Sequence, residues 1–201
     1  MKVAILMEGE TERVFIPYLR EFLSWRLLKM PRLMSNRYDG RIPKHDKLKR
    51  VVDALLRGAD PDADHVIALT DVYTGTNDFQ DAADAKQKMR SWVGPNDRFH
   101  PHVAQHDFEA WLLPYWPAIQ ALAKHNRTAP AGKPESVDHN HPPSYHIKEI
   151  FRTGKSPRHY TKTRDAKRIL EGKDLSVAAA GCPELKAFLN TILTLCEGDP
   201  L

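Results

Sequence analysis

The stretch Lys2-Val3-Ala4-Ile5-Leu6-Met7 is a short apolar run that ends abruptly at Glu8-Gly9. An apolar run without polar alternation is typical of a strand buried on both faces, as in a parallel sheet. Apolar side chains then recur at helical spacing over residues 11–28, which predicts an amphipathic helix with Thr11 as its N-cap and Pro31 beyond its end. A buried strand followed at once by a helix is the repeating unit of α/β folds.

The alternation of strand and helix continues through the next hundred or so residues. Further strands are predicted at residues 32–35, 65–70 and 98–105, and helices at 46–57, 78–92 and 108–124, the last interrupted near Pro114 and Pro117. Repeated strand–helix pairs predict an α/β fold of three layers, with helices on both faces of a mostly parallel sheet.

The composition changes after residue 125. Residues 126–145 contain many prolines and histidines but few apolar side chains, which predicts an irregular loop. A short helix at 147–151, a basic loop and closing helices at 164–170 and 183–196 follow. We therefore expect an α/β core at residues 1–125 and an extension, residues 126–201, whose two loops and closing helices pack on that core.

The overall composition is typical of a soluble globular protein. Of the 201 residues, 41% are hydrophobic and 28% are charged. No apolar run approaches the roughly 20 residues that a membrane helix needs. The cysteines, Cys182 and Cys196, are too few for a disulfide framework, and without an export signal we expect them to be reduced. We therefore expect a cytoplasmic protein that does not enter a membrane.

Positive charge is concentrated in two segments, although the net charge is only +4. Clusters of this kind suit the phosphate backbone of DNA or RNA, but solvated loops and helix faces carry the same pattern. One segment has a single acid, Asp165, among Lys155, Arg158, Lys162, Arg164, Lys167 and Arg168. The other segment holds Arg37, Arg41, Lys44, Lys47, Lys49 and Arg50. The predicted nucleic-acid contacts are Arg158, Lys162, Arg164, Lys167 and Arg168.

Three acidic residues fall where predicted strands end. Glu8 follows the first strand, Asp71 follows the strand at 65–70, and Glu109 lies just beyond the strand at 98–105. Because the carboxyl ends of parallel strands share one edge of a sheet, we expect these carboxylates to converge there. Such oxygen ligands suit Mg²⁺ or Mn²⁺, which can activate water for phosphodiester cleavage. Acids in the first turn of a helix are also favoured by the helix dipole alone, so a structural role is the alternative for each.

Other side chains are weaker candidates for the same site. Glu12, Asp78 and His106 are secondary candidates. Two histidine trios also offer imidazoles to Zn²⁺, although neither is accompanied by cysteines, so we expect magnesium rather than zinc. These trios are His100, His102 and His106 on one predicted strand, and His139, His141 and His146 in the proline-rich loop.

Several motifs resemble those of one bacterial family, the domain of unknown function 4276. The segment Glu8-Gly9-Glu10-Thr11-Glu12 resembles its E-G-x-T-E signature, and Asp71 follows an apolar strand as in the family. Residues 106–113 resemble its F-E-A-W-L-L block. The P-P-S, Y-x-K-T and C-P elements of the family resemble residues 142–144, 160–163 and 182–185. The resemblance covers nearly the whole chain.

The resemblance implies a Toprim-like fold, similar to the nuclease domain of overcoming-lysogenization-defect proteins. In Toprim domains a Glu after the first strand and Asp residues after a later strand bind metal, which implies these roles for Glu8 and Asp71. Tyr73 stands where the second Asp of the Toprim D-x-D pattern is expected, so Glu109 or Asp78 has to supply the missing carboxylate. Lys162 is the candidate for a catalytic cation that steadies the scissile phosphate.

The resulting hypothesis is a Mg²⁺-dependent nuclease that cleaves DNA or RNA, with either one or two metal ions. Relatives are often encoded beside an ATPase of the ABC type, so the resemblance implies an antiphage defence effector that works with such an ATPase. A homodimer is also left open. The main alternative is a non-catalytic module that binds nucleic acid or the ATPase, and a Toprim-type nucleotidyl or phosphoryl transferase is the third hypothesis.

Overall fold

Within the described residues, four strands form one parallel sheet in the order β2-β1-β3-β4. The strands are β1 (Lys2–Met7), β2 (Arg32–Arg37), β3 (His65–Asp71) and β4 (Phe99–Ala104). The structure, a computed structural model, describes residues 1–38, 40–72, 78–136, 140–155 and 158–201, without the side chain of Glu12.

Helices connect these strands and follow the last of them. They are α1 (Glu10–Ser24), α2 (Asp46–Leu55), α3 (Ala82–Val93), α4 (Trp116–Ala123), α5 (Pro143–Thr153), α6 (Lys162–Leu170), α7 (Leu175–Gly181) and α8 (Pro183–Leu195). Short 3₁₀ turns lie at Phe108–Trp111, Leu113–Tyr115 and Pro134–Ser136.

Strand side chains alternate between two apolar cores, one on each face of the sheet. Val3, Ile5 and Met7 of β1 lie in the larger core, with α1 and the helices from α4 to α8. Ala4 and Leu6 lie in the smaller core, which α2 and α3 close. Burial on both faces explains why β1 is apolar from Val3 to Met7, and the predicted three-layer α/β fold with a parallel sheet is confirmed.

The structure corrects several predicted boundaries. α1 begins at Glu10 with Gly9 in the N-cap position, so the prediction of Thr11 as the N-cap is wrong. α3 begins at Ala82 rather than at residue 78, because the Asp81 side chain accepts a hydrogen bond in its first turn and caps it there. α7 was not predicted, since its seven residues span about two turns and leave little periodicity to read.

Two further differences lie near the predicted site. Residues 108–124 divide into two 3₁₀ turns and α4, as the two prolines of that segment indicated. α6 begins at Lys162, so this lysine lies on a helix and not in the predicted basic loop.

The elements after residue 125 pack against those before it. α1 contacts α6, α8 contacts β4, and α5 packs beside the turn Phe108–Trp111. One apolar core therefore contains side chains from both sides of residue 125, and a division of the chain at this point stays a prediction. In the ranges that the structure describes, the helices are too short or too polar to cross a membrane.

Candidate active site

The carboxyl edge of the sheet between β1 and β3 is the point where the strand order reverses. α1 leads from β1 to β2 on one face, and α2 returns from β2 to β3 across the other face. In open parallel sheets these two connections leave a crevice in which ligands bind. Glu8 follows β1 at this crevice, and Asp71 is the last residue of β3.

Glu8 is held by the end of the neighbouring strand. Met7 pairs with Leu69 in the register of β1 and β3, so the residues that follow them lie side by side. The Thr70 hydroxyl donates a hydrogen bond to the Glu8 carboxylate, and these residues are 1% and 6% exposed. Asp71, the next residue of β3, is half-buried. Strand register therefore places Glu8 and Asp71 at one edge of the sheet and brings to Glu8 a hydroxyl that sequence reasoning missed, because a threonine at a strand end carries no signal of its own.

Glu109 lies beyond β4 in the turn Phe108–Trp111 and is 0% exposed. Its carboxylate has two partners from the start of α6 and the residues just before it. Lys162 Nζ lies 3.2 Å from Oε2, and the Tyr160 hydroxyl donates to Oε1 at 3.4 Å. The Lys162 side chain is 47% exposed, so it reaches from solvent to the buried acid. Two predicted catalytic residues, Glu109 and Lys162, are therefore in direct contact.

Asp107 is a buried acid that sequence reasoning did not assign to the site. Its Oδ2 accepts a hydrogen bond from the backbone N–H of Ser144, near the start of α5, at 3.2 Å. Its Oδ1 is buried and accepts no hydrogen bond from the described residues. A signal was present, because Asp107 stands two residues before Glu109 in the same motif. Tyr160 was missed in the same way, two residues before Lys162.

Asp107 and Glu109 are neighbouring buried carboxylates at which the positive charge of Lys162, and of Lys148 near Asp107, does not outweigh the effect of burial. Burial raises the pKa of Asp107, although Ser144 and Lys162 oppose the shift. Burial and the negative charge of Asp107 raise the pKa of Glu109 against the effect of Lys162. Burial acts to lower the pKa of Lys162, but Glu109, Asp71 and Asp107 together raise it. The Lys162 ammonium therefore lies in the field of the acid that ends β3 and of both acids beyond β4.

The acidic edge offers the donor atoms that a divalent cation prefers, but the described side chains do not form a ready-made site. The buried Oδ1 of Asp107 accepts no hydrogen bond from the described residues, and burial and Asp107 raise the pKa of Glu109, so a bound cation would stabilise the charged form of both acids. Carboxylate oxygens are the ligands that Mg²⁺ and Mn²⁺ prefer. In the described residues, however, no three His, Cys, Asp or Glu side chains lie close enough together to hold one ion. Glu8, Asp71 and Glu109 are thus not assembled as a ready-made ligand set.

Comparison with known proteins identifies the family. The sequence model of a family described as "Domain of unknown function (DUF4276)" matches residues 7–193. The chain belongs to the DUF4276 family. The resemblance inferred from the motifs is thereby confirmed. A search of the curated proteins finds none that matches this chain.

Solved structures show where this DUF4276 protein belongs by fold. The C-terminal region of the Burkholderia pseudomallei OLD protein superposes with a TM-score of 0.55 at 13% identity, over 95% of this chain and 98% of that chain. The corresponding region of the Xanthomonas campestris pv. campestris OLD protein gives a TM-score of 0.43 at 14% identity, over 96% of each chain. The first likeness shows a shared fold and confirms the Toprim-like architecture.

The predicted nucleic-acid contacts of the DUF4276 protein divide into two groups. Arg158 and Arg164 both pair with the buried Asp165, with Arg158 Nη1 2.7 Å from Oδ2 and Arg164 Nε 3.1 Å from Oδ1. The Arg158 side chain is only 27% exposed. Lys162 and Arg164 are exposed on α6, as are Lys167 and Arg168. These four residues, rather than Arg158, present positive charge to solvent.

The second basic segment is engaged in ion pairs at several positions. Arg37 pairs with Glu10 at the ends of β2 and the start of α1. Arg41 and Lys44 pair with Asp78 at 3.2 and 2.8 Å. Asp78, a secondary candidate for the metal site, is thus bound by two cations of the loop that precedes α2.

The histidines of β4 have partners within the fold. The ring nitrogens of His100 and His65 lie 3.2 Å apart, and His102 Nε2 lies 2.9 Å from the Thr191 hydroxyl. Burial lowers the pKa of His102 to about 3, so this imidazole is neutral. His106, the remaining secondary candidate, is buried and has a left-handed backbone with φ of +70°. Tyr73 and His139, as well as the side chain of Glu12, lie outside the described residues.

Proposed function

We propose that this DUF4276 protein is a metal-dependent nuclease that cleaves phosphodiester bonds of DNA or RNA. The observation that carries the proposal is the environment of Lys162. Its ammonium contacts Glu109 and lies in the field of Asp71 and Asp107, at the edge of the sheet where ligands collect. Buried acids with perturbed pKa values beside an accessible cation are typical of active sites.

In such a nuclease the side chains of Glu8, Asp71 and Glu109 would have to converge on Mg²⁺ or Mn²⁺, with Asp107 as a further carboxylate. An ion bound there would supply Lewis acidity to a phosphoryl oxygen and activate a water molecule. The Thr70 hydroxyl orients Glu8, and the side chains of Lys162 and Tyr160 orient Glu109. Outer partners of this kind fix metal ligands in position, which supports a ligand role for both acids.

Lys162 has the reach and the charge to contact a scissile phosphate. The acids around it raise its pKa, so the ammonium stays charged at neutral pH even though burial acts in the opposite direction. At the phosphate it would offset the negative charge that develops in the transition state. Arg164, Lys167 and Arg168, exposed on the same helix, would contact neighbouring phosphates and set register without reading the base sequence.

The proposal includes a cellular setting. The family resemblance supports a cytoplasmic antiphage defence effector that works with an ABC-type ATPase. The ATPase would then control access to the nuclease, and a homodimer would place two such sites in one assembly.

A non-catalytic binding module is the second candidate. It would use the same fold and the basic residues of α6 to bind nucleic acid or to dock on the ATPase. The observation that favours it is the lack, in the described parts of the chain, of three metal-binding side chains around one point.

A nuclease assay separates these two candidates. The protein, with and without its ATPase, is incubated with plasmid DNA, single-stranded DNA, messenger RNA and tRNA in Mg²⁺ or Mn²⁺. We expect cleavage that a chelator, Glu8→Gln and Asp71→Asn each abolish, while circular dichroism shows folded variants. Asp53→Asn, a half-exposed carboxylate on α2 that pairs with Lys49, is the matched control and should cleave like the wild type. Tight binding without cleavage, retained by Glu8→Gln, would establish the binding module instead.

A further inference from the structure

Lys162 and Tyr160 reach Glu109 from a segment that the sheet does not hold. Tyr160 precedes α6 and Lys162 is its first residue, whereas Glu109 lies beyond β4. The two contacts with Glu109 span 51 and 53 residues of sequence. Strand register therefore does not fix where these two side chains stand, and other contacts have to do so.

The buried Asp165 carboxylate fixes the start of α6. It accepts a hydrogen bond from the backbone N–H of Thr161 at 2.8 Å. Thr161 is the N-cap residue of α6, but its own side chain makes no capping hydrogen bond. Asp165 therefore satisfies a backbone donor at the start of the helix from within the helix. The residue that it holds lies directly between Tyr160 and Lys162.

Arg158 ties this carboxylate to α5. Its Nη1 and Nη2 donate to the two oxygens of Asp165 at 2.7 and 2.9 Å, which is a bidentate pair with defined geometry. The same guanidinium lies 4.2 Å from the ring centre of Phe151, and the Arg158 backbone N–H donates to the Phe151 carbonyl oxygen at 3.2 Å. Because Phe151 is fully buried in the core, a continuous path of contacts runs from α5 to Thr161.

We propose that Asp165 and Arg158 are positioning residues that hold Lys162 and Tyr160 against Glu109. This inference rests on the proposed function for the catalytic use of Lys162, whereas the placement of Lys162 is measurable without catalysis. Arg158 then serves the site from within the fold rather than by contact with nucleic acid. Arg164 contacts the same carboxylate but is 52% exposed, so it approaches from the solvent side.

Acylation of individual lysines tests the placement. Wild type, Asp165→Asn and Arg158→Lys are treated with acetic anhydride at one pH, and mass spectrometry follows the modification of Lys162 and Lys167. Arg158→Lys keeps the positive charge but loses the planar fork that binds both oxygens. Released from Glu109, Lys162 should react severalfold faster in both variants, whereas Lys167 keeps its rate. Circular dichroism at the assay temperature verifies the fold, and Arg158→Lys alone decides if Asp165→Asn does not fold.

Arg164→Lys is the matched control, because it alters the other guanidinium on Asp165. Lys162 should react at the wild-type rate in this variant. An unchanged rate in folded Arg158→Lys, or an equal increase in Arg164→Lys, would overturn the inference.

The turnover rate per folded molecule is a measurement that a loss of folded protein alone would not change. In an active enzyme Arg158→Lys should lower kcat by about 10- to 100-fold while KM stays within about twofold, since the cation is misplaced but the substrate still binds. Because unfolded protein also lowers the apparent kcat at constant KM, the rate is divided by the folded fraction that circular dichroism reports. If the wild type cleaves nothing, the proposed function fails, and the acylation rates still decide the placement.

Discussion

Glu109 and Asp165 are both fully buried carboxylates, but the protein neutralises them to different degrees. Burial alone would raise the pKa of Asp165, yet hydrogen bonds from two arginines and a backbone N–H lower it to about 2. Glu109 has only Lys162 and the Tyr160 hydroxyl as side-chain partners among the described residues, and it faces Asp107. Burial and the charge of Asp107 raise its pKa.

The difference separates a structural carboxylate from one suited to bind a ligand. A buried charge with well-placed opposite charges can be accommodated in the fold, and it attracts no further cation. A pair of buried acids short of positive charge is stabilised by a cation that binds beside it. The position of an acid at the edge of the sheet is therefore not sufficient to define the site, and the local balance of charge is the better guide.

The largest expected effect is on cleavage when the charge of Glu109 is removed. Glu109→Gln keeps the size of the side chain, and the rate should fall by about 10³-fold, as it does when a group that stabilises transition-state charge is lost. The free energy of unfolding should change by no more than about 1 kcal/mol, because relief of repulsion from Asp107 offsets the loss of a half-exposed partner. Cleavage rates and urea unfolding measure the two quantities. A large loss of stability with unchanged cleavage would show that Glu109, rather than Asp165, is the structural carboxylate.

Asp165→Asn should show the opposite profile, with its main effect on stability. Removing this carboxylate leaves two arginines without their partner, which for a fully buried pair costs about 3–5 kcal/mol. Both guanidiniums reach solvent, so we expect a loss of about 2–3 kcal/mol in urea unfolding. Asp53→Asn breaks an exposed pair with Lys49 and should cost less than about 0.5 kcal/mol. If both variants lost the same free energy of unfolding, the buried ion pairs of Asp165 would stabilise the fold no more than an exposed pair does.

The acids at the strand ends are the part of the site that sequence predicts well. A strand with a continuous apolar run that is followed by an acid signals both the parallel sheet and the edge where Glu8 and Asp71 lie. The structure confirms the strands that position them. Strands can be predicted in this way because the spacing of apolar side chains depends on a few neighbouring residues.

The second half of the site depends on contacts between distant segments, which local patterns do not encode. Nothing in the sequence around Tyr160 shows that its hydroxyl meets Glu109, 51 residues away. Arg158 was read as a surface cation because the burial of Asp165 was not recognised. Helical spacing could have predicted the burial of Asp165, since it stands four residues before the buried Ile169 and so shares the inner face of α6.

The stability that Asp165 contributes should depend on pH in a defined direction. Its pKa is about 2 in the folded protein, below the ordinary value of 3.8, so the folded state binds this proton more weakly than the unfolded state. Its contribution is therefore present above about pH 4 and is lost as the pH falls towards about 2. In urea unfolding, the difference between wild type and Asp165→Asn should be constant from neutral pH to about pH 5 and shrink below it. A difference that grows on acidification would contradict the assigned charge balance.

The smallest expected effect is an increase in Tm caused by a bound metal ion. It tests directly whether the acids at the edge of the sheet attract a cation. A ligand at ten times its Kd that binds only the folded state adds about 1.4 kcal/mol, which raises the Tm of a chain of this size by about 3–5 °C. Mn²⁺ should therefore raise the Tm of wild type and Asp165→Asn alike, but not that of Glu8→Gln or Glu109→Gln. The same increase in all four proteins would place the ion elsewhere. An increase confined to the first two would show that the carboxylates short of positive charge bind the cation, whereas the neutralised Asp165 does not.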